Sequence, residues 1–141
     1  MRTAGLDIGE RTIGIAVSDL LGITAQGLDT IRRSRLEADL QQVINILKDY
    51  EVSRVIIGLP KNMNNTLGPS ADRARAFGDE LYKRVGMSGI EIKYWDERLT
   101  TVSAQRTLLE GDVSRKKRKQ VVDKIAAVMI LQNYMDSVIK S

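Results

Sequence analysis

The feature that most constrains the fold is a nearly uninterrupted apolar segment in the middle of the chain, Arg54–Pro60, which ends in proline. A run of consecutive apolar residues is typical of a strand that is covered on both faces of its sheet. Proline stops such a strand because it cannot donate a hydrogen bond to the ladder. A strand buried in this way needs helices on both sides, so the chain is predicted to be an α/β protein.

The spacing of apolar residues predicts the other elements. Alternation over Thr12–Ser18 predicts a strand that pairs back on a first strand ending at Asp7, through a turn at Gly9–Arg11. Helical spacing predicts a helix from Leu36 to near Tyr50. The remaining predicted elements are a third strand around Ala25–Arg32, a helix capped by Ser70 that ends near Val85, a strand over Ile90–Trp95, a short helix capped by Thr100 or Thr101 that ends at Glu110, and a final helix over Gln120–Ile139. We expect one domain with a mixed sheet over residues 1–141.

Composition excludes several classes of chemistry. The chain has no cysteine and no histidine, which excludes thiolate nucleophiles, triads of the serine-protease kind and most zinc sites. No apolar segment reaches the length of a membrane span and the N-terminus lacks a secretory apolar region, so a cytoplasmic location without membrane contact is expected. Catalysis must depend on carboxylate, amine, guanidinium or hydroxyl groups, which favours divalent-metal chemistry on carboxylates.

Positive charge is concentrated in one place. Five consecutive cations, Arg115–Lys119, exceed the whole net charge of +4. This basic run is predicted to form a loop with Gly111 and Asp112 before the final helix. A basic patch favours an anionic partner, although a lone run of this kind is more often a solvated loop. Arg32, Arg33 and Arg35 offer a second cationic surface.

Acidic side chains are predicted to converge at one edge of the sheet. The first, fourth and fifth strands are expected to be parallel because helical crossovers join them, and ligands bind at the carboxyl ends of such strands. Asp7 ends the first strand, while Asp96 and Glu97 follow the last one. Asp123 lies on the final helix beside two small alanines. Each acid alone has an ordinary explanation as a turn or helix-terminus residue, but their convergence favours a bound Mg²⁺ or Mn²⁺.

Four blocks of sequence resemble the YqgF family, which is also called RuvX. In chain order they are Leu6–Asp19, Val55–Met63, Asp96–Thr101 and Lys117–Ala127. The resemblance covers nearly the whole chain, and the Asp-Glu-Arg-Leu-Thr-Thr block is specific. It implies a ribonuclease H-like fold related to RuvC resolvases, with a mixed five-stranded sheet in the order 3-2-1-4-5, an antiparallel second strand and helices on both faces. It also implies a nuclease that matures the 5′ end of the 16S ribosomal RNA precursor.

The resemblance also implies which residues form the active site. Asp7, Glu97 and Asp123 match the acids that bind metal and carry catalysis in the family. Neighbouring strand residues point to opposite faces, so at most one of Asp96 and Glu97 is expected to reach the cation, and the sequence leaves open which one. Gln120 stands where RuvC-type resolvases have a further aspartate; its amide can bind a cation weakly but brings no charge, so Gln120 and Asp96 are candidates for an additional role beside the three expected ligands.

The expected reaction is hydrolysis of a phosphodiester by metal-activated water. The side chains expected to bind the nucleic-acid backbone are Arg115, Lys116, Lys117, Arg118, Lys119 and Arg98. Two alternatives remain: an endonuclease acting on Holliday junctions in DNA, which would need two active sites and hence a dimer, and a non-catalytic RNA-binding module. We expect a monomer or a weak homodimer, and we expect Trp95 to pack in the core instead of stacking on a base.

Overall fold

The strands and helices follow the apolar pattern of the sequence closely. The structure, a computed structural model, describes residues 2–60, 68–96 and 115–140, with side chains described for 125–138 of the last range. The strands are β1 (Arg2–Ile8), β2 (Thr12–Ser18), β3 (Ala25–Gly27), β4 (Ile31–Arg32), β5 (Val52–Leu59) and β6 (Glu91–Asp96). The helices are α1 (Leu36–Asp49), α2 (Pro69–Val85) and α3 (Arg115–Lys140), with a single 3-10 turn at Gly86–Ser88.

The strands form one mixed sheet in the order β3-β2-β1-β5-β6. β2 is antiparallel to β1, whereas β5 is parallel to both β1 and β6. The predicted order and the antiparallel second strand are therefore confirmed in outline. The predicted third strand is divided in two: Ala16 pairs with Gly27 but Ile13 pairs with Ile31, so one extra residue interrupts the ladder and starts β4.

Apolar side chains cover both faces of the sheet. On one face α1 and α2 pack through residues such as Leu40 and Phe77 onto alternate strand residues that include Leu6 and Ile57. On the other face α3 packs against the sheet, and Ile130 lies in a second apolar cluster with Ile56 and Trp95. β5 therefore has helices on both sides, as its continuous apolar sequence predicts.

Helix α3 approaches β1 closely at Gly5. A Cβ atom added to Gly5 would lie 2.8 Å from the Cβ of Leu131 and 3.0 Å from the carbonyl oxygen of Ala127. Such distances leave no room for any side chain at position 5. The small residues of β1 and α3 thus allow the helix backbone to lie almost against the strand.

Two predictions about the helices are wrong, and one lies outside the described residues. Gly68 is the N-cap of α2, without a side-chain cap hydrogen bond, and Ser70 lies inside the helix after Pro69, whose fixed φ suits a first helical position. The basic run is helical because α3 begins at Arg115, not at Gln120; Arg and Lys are good helix formers. The predicted short helix from Thr100 or Thr101 lies outside the described residues.

Candidate active site

The carboxyl ends of β1, β5 and β6 meet at one edge of the sheet. Leu6 pairs with Ile57, and Ile57 pairs with Tyr94. Asp7, the residue after Leu6, is therefore level with Gly58 and Trp95, one step further along the three strands. The structure thus brings Asp7 to the edge at which the sequence predicts a ligand site.

Asp7 points to the face of the sheet that α3 covers. Gly5 faces α3 at contact distance, and residues two apart on a strand share a face. Gly58, the neighbour of Asp7 on β5, bears no side chain, and Trp95 is the next residue across this face. Asp7 itself is partly exposed at this edge of the sheet.

Asp96 lies on the opposite face. It pairs with Leu59, and it shares its face with Tyr94; both of these residues pack in the cluster beneath α1 and α2. Asp7 and Asp96 are therefore at the same edge but on different sides of the sheet. This register separates Asp96 from the α3 face, which the sequence alone could not do.

Helix α3 runs in the direction opposite to β1 and β5. The Tyr134 hydroxyl accepts a hydrogen bond of 2.9 Å from Nη1 of Arg54, near the start of β5, whereas the carbonyl of Ala127 lies above Gly5, further along the sheet. The turn before Ala127 therefore approaches the carboxyl edge. That turn contains the backbone of Asp123, and the turn before it contains Gln120.

Several predicted site residues lie partly or wholly outside the described residues. Glu97 and Arg98 are among them, as are the side chains of Gln120, Asp123 and the basic run, whose backbones lie in α3. Among the described side chains, no group of three acids is close enough to hold a metal ion. The roles of these residues therefore remain predictions.

The two aromatic residues of β6 have structural surroundings. Trp95 packs edge-on against Tyr134, with ring centroids 5.7 Å apart, as expected for a core residue. The Tyr94 hydroxyl donates to the carbonyl of Arg75 at 3.2 Å and lies 3.3 Å from Oδ1 of Asp79. Burial, together with the nearby Asp79 carboxylate, raises the pKa of Tyr94 to about 12. Both rings therefore have contacts within the protein.

The turn after Asp7 is held by a residue that the sequence did not identify as structural. Nη1 of Arg33 donates to the carbonyl of Gly9 at 3.0 Å, and its Nε pairs with Oδ2 of Asp39 at 3.3 Å. Asp39 is 1% exposed and also accepts the backbone N–H of Ser34. Arg33 therefore ties the β1–β2 turn to α1 and is not a free cation, although the sequence grouped it with Arg32 and Arg35.

Asp19, the last residue of the first family-like block, has a structural role. Its Oδ1 accepts the backbone N–H groups of Ile23 at 2.8 Å and Thr24 at 3.3 Å. The Ile23 bond is the main reason why the pKa of Asp19 is lowered. Asp19 follows β2, which is antiparallel to β1, so it lies at the far end of the sheet from Asp7.

Comparison with known proteins gives one family and a consistent fold. The family model described as "RuvX: Holliday junction resolvase" matches residues 1–137. A protein of Heliobacterium modesticaldum is 61% identical over 137 residues, 97% of this chain and 90% of the relative; one of Clostridium tetani is 54% identical over 138 residues, 98% of each chain. Both carry the name "Putative pre-16S rRNA nuclease".

The solved structures are distant in sequence and similar in fold. Thermus thermophilus RuvC, in complex with a Holliday junction substrate, has a TM-score of 0.62 at 14% identity and covers 100% of this chain and 97% of its own. The fowlpox virus Holliday junction resolvase has a TM-score of 0.60 at 16% identity and covers 98% and 99%. The predicted ribonuclease H-like fold of the RuvC type is confirmed.

Proposed function

The chain belongs to the RuvX (YqgF) family, and we propose that it is a metal-dependent nuclease that hydrolyses phosphodiester bonds in maturing the 5′ end of the 16S ribosomal RNA precursor. The observation that carries the proposal is the position of Asp7, at the carboxyl edge of the sheet and on the face that α3 covers. The names of the relatives from Heliobacterium and Clostridium support the RNA substrate. We further propose that residues 1–141 form one catalytic domain that works in the cytoplasm.

The residues present fit a hard divalent cation. Carboxylate oxygens are the ligands that Mg²⁺ and Mn²⁺ prefer, and Asp7 offers them at the edge of the sheet, beside Gly58, which bears no side chain. Asp123 would approach from α3, whose direction brings the turn before Ala127 toward Asp7. Gln120, one turn earlier, could add an uncharged oxygen. When bound, the cation would lower the pKa of a coordinated water and stabilise charge on the phosphate.

The register of β6 supports Glu97 over Asp96 as the remaining ligand. Asp96 lies on the face of Leu59 and Tyr94, away from Asp7. If the strand alternation continues for one more residue, Glu97 returns to the face of Asp7 and Trp95. We therefore propose Asp7, Glu97 and Asp123 as the metal ligands and exclude Asp96 from direct contact with the ion.

The basic run supports nucleic acid as the substrate. Lys119 is four residues before Asp123 on the same helix, a rise of about 6 Å. A backbone bound by Arg115–Lys119 would therefore pass close to the proposed metal ligands. Arg98, in the Asp-Glu-Arg block, could contact the same backbone. Contacts of this type give affinity and orientation but carry no sequence information.

Holliday junction cleavage is the second candidate. It is favoured by the description of the family and by the likeness in fold to two junction resolvases. A junction resolvase cuts two strands and needs two active sites, so this function would require a dimer. For the RNA function a monomer or a weak homodimer suffices.

The proposal is tested by substituting Asp7 and comparing substrates. Purified wild type, Asp7→Asn and Asp49→Asn are incubated with precursor 16S RNA, single-stranded RNA and a four-way DNA junction, with Mg²⁺, with Mn²⁺ or with chelator. Asp49 is the exposed last residue of α1, before β5 begins, and serves as the control. We expect Asp7→Asn to lower cleavage by at least about 100-fold, since even outer-shell partners of metals contribute about 10–100-fold.

The stability of the Asp7→Asn protein separates a metal ligand from a turn residue. An amide of the same shape relieves carboxylate repulsion in the metal-free protein, so its stability should stay level or rise slightly. A large loss of stability with retained cleavage would mean that Asp7 is structural. Preference for the junction over both RNAs, with dimer formation, would favour the second candidate.

A further inference from the structure

A cationic cleft lies beside the β1–β2 turn, on the side of the sheet opposite to α3. It encloses about 570 Å³. Its charged lining residues are Glu10, Arg11, Arg32, Arg33, Asp39 and Arg73. Pockets that hold uncharged small molecules are mostly apolar, whereas four guanidinium groups line this one. The lining is therefore suited to an anion.

Three of the four arginines are available to such an anion. Arg33 is occupied by Asp39 and by the Gly9 carbonyl. Within the described residues, Arg11, Arg32 and Arg73 form no ion pair, so Glu10 is the only acid of the lining that remains to offset them. Arginine binds phosphate oxygens through a planar pair of N–H groups, which makes a cluster of free arginines a phosphate-binding surface.

The cleft is held in place by the fold. The backbone N–H of Arg33 donates to the carbonyl of Arg11 at 2.8 Å, and Arg32 pairs with Thr12 across the β2–β4 ladder. The guanidinium of Arg33 also lies over the ring of Phe77, 5.6 Å from its centroid. The arginine backbones therefore have fixed positions before any ligand binds, which lowers the entropy lost on binding.

The cleft adjoins the candidate active site along the chain. The Gly9 carbonyl that binds Arg33 belongs to the turn directly after β1, two residues from Asp7, or about 7 Å along an extended chain. Asp7 faces α3, while the cleft lies toward α1 and α2. A nucleic-acid strand that crosses the carboxyl edge of the sheet could therefore contact both Asp7 and the cleft.

We propose that Arg11, Arg32 and Arg73 bind the phosphodiester backbone of the substrate on the side of the cleavage position opposite to the basic run. The substrate strand then lies across the edge of the sheet between two cationic surfaces, which fixes its position over Asp7. This inference rests on the proposed nuclease function and adds to it a second, independent place of contact with the substrate.

The test compares two triple variants that remove the same charge. Arg11→Gln, Arg32→Gln and Arg73→Gln are combined in the cleft variant; the control combines Lys48→Gln, Arg75→Gln and Lys83→Gln, all exposed and outside the cleft. Binding of fluorescently labelled single-stranded RNA and of a four-way DNA junction is measured by anisotropy, with chelator present so that no cleavage occurs. The salt concentration is varied from about 50 to about 200 mM, a range over which the loss of phosphate contacts changes the affinity measurably.

We expect the slope of log K against log salt to fall by about 2–3 in the cleft variant, because each lost phosphate contact contributes ~0.7–0.9, and to change little in the control. Equal changes in both variants would show that only net charge matters and would overturn the proposal, as would an unchanged slope in the cleft variant. Circular dichroism checks folding. If the triple variant does not fold, Arg73→Gln and Arg75→Gln, two positions apart on α2, give the comparison for a single contact, with an expected fall of ~0.7–0.9 for Arg73→Gln.

These outcomes separate the cleft from the nuclease function. A cleft variant that binds like wild type, beside an Asp7→Asn protein that has lost cleavage, would reject the cleft and keep the nuclease. A wild-type protein that binds neither nucleic acid, and that cleaves none of the three substrates with Mg²⁺ or Mn²⁺, would reject both.

Discussion

Replacing Gly5 by alanine tests whether the contact between α3 and β1 sets the candidate site. The added methyl carbon would lie 2.8 Å from the Cβ of Leu131 and 3.0 Å from the Ala127 carbonyl oxygen. Carbon atoms pack best at about 3.5–4.0 Å, so the helix must move away from the strand by roughly 1 Å. Overpacking of this kind costs about 1–3 kcal/mol.

The same displacement should affect catalysis more than stability. Under the proposed function α3 carries Asp123 toward Asp7, and a misplacement of about 1 Å in a catalytic arrangement can cost roughly 100-fold in rate. We expect Gly5→Ala to lower the free energy of unfolding by about 1–3 kcal/mol. We also expect its cleavage rate to fall by more than the loss of folded protein accounts for. Shortening Leu131 to alanine should not restore activity, because the closest atoms are its Cβ and the helix backbone.

A second glycine provides the matched control. A Cβ added to Gly86 would lie 2.9 Å from a ring carbon of Tyr82, but Tyr82 is 58% exposed, so its ring can rotate away. Gly86 has helical φ and ψ of −59° and −36°, so alanine fits its backbone and the change should stay within about 0.5 kcal/mol.

Urea unfolding and cleavage rates measured on both variants decide the question. If Gly5→Ala is as stable and as active as Gly86→Ala, the close approach of α3 does not position the active site.

Three further predictions concern other parts of the molecule. Asp39→Ala leaves Arg33 without its buried partner and should lower the free energy of unfolding by about 2–4 kcal/mol, somewhat less than the loss of a partner in a fully buried pair. A loss below about 1 kcal/mol in urea unfolding would contradict the structural role of the pair. The pKa of Tyr94, at about 12, lies above its ordinary value, so the folded protein holds this proton more tightly and stability should fall as pH rises from about 10 to about 12. In denaturant unfolding, Tyr94→Phe should weaken this dependence, and equal pH slopes would refute the assignment. Replacing Arg115–Arg118 by alanine should lower the slope of log K against log salt for nucleic-acid binding by roughly 2–3. An unchanged slope would indicate that the basic run is an ordinary solvated segment.

Local patterns in the sequence predicted most of the fold. The alternation over Thr12–Ser18 and the helical spacing after Leu36 each correspond to an observed element with bounds at or near those expected. Both patterns depend on which residues face the core, and that information is local. The basic run was misjudged because it contains no apolar residue to mark a helix, although it continues into a helix that does.

The arrangement of the site depends on information that is not local. The pairing of β6 with β5 places Asp96 on the face of the sheet opposite to Asp7. This register cannot be predicted from the residues next to Asp96 in the sequence. Arg33 looked like one of three equivalent cations until its contacts with Asp39 on α1 and with the Gly9 carbonyl were known. Residue types indicated the chemistry of the edge, but register and partners decided which side chains can take part.

The contact between Gly5 and Leu131 also has a consequence for synthesis on the ribosome. The two residues are about 125 positions apart in the chain. At a translation rate of ~5–20 residues per second, Leu131 is therefore synthesised roughly 6–25 s after Gly5. Until then α3 does not cover the face of β1 that carries Asp7. Because the proposed ligands come from β1 and from α3, which lies more than 100 residues later in the chain, the proposed site cannot assemble before α3 has been synthesised.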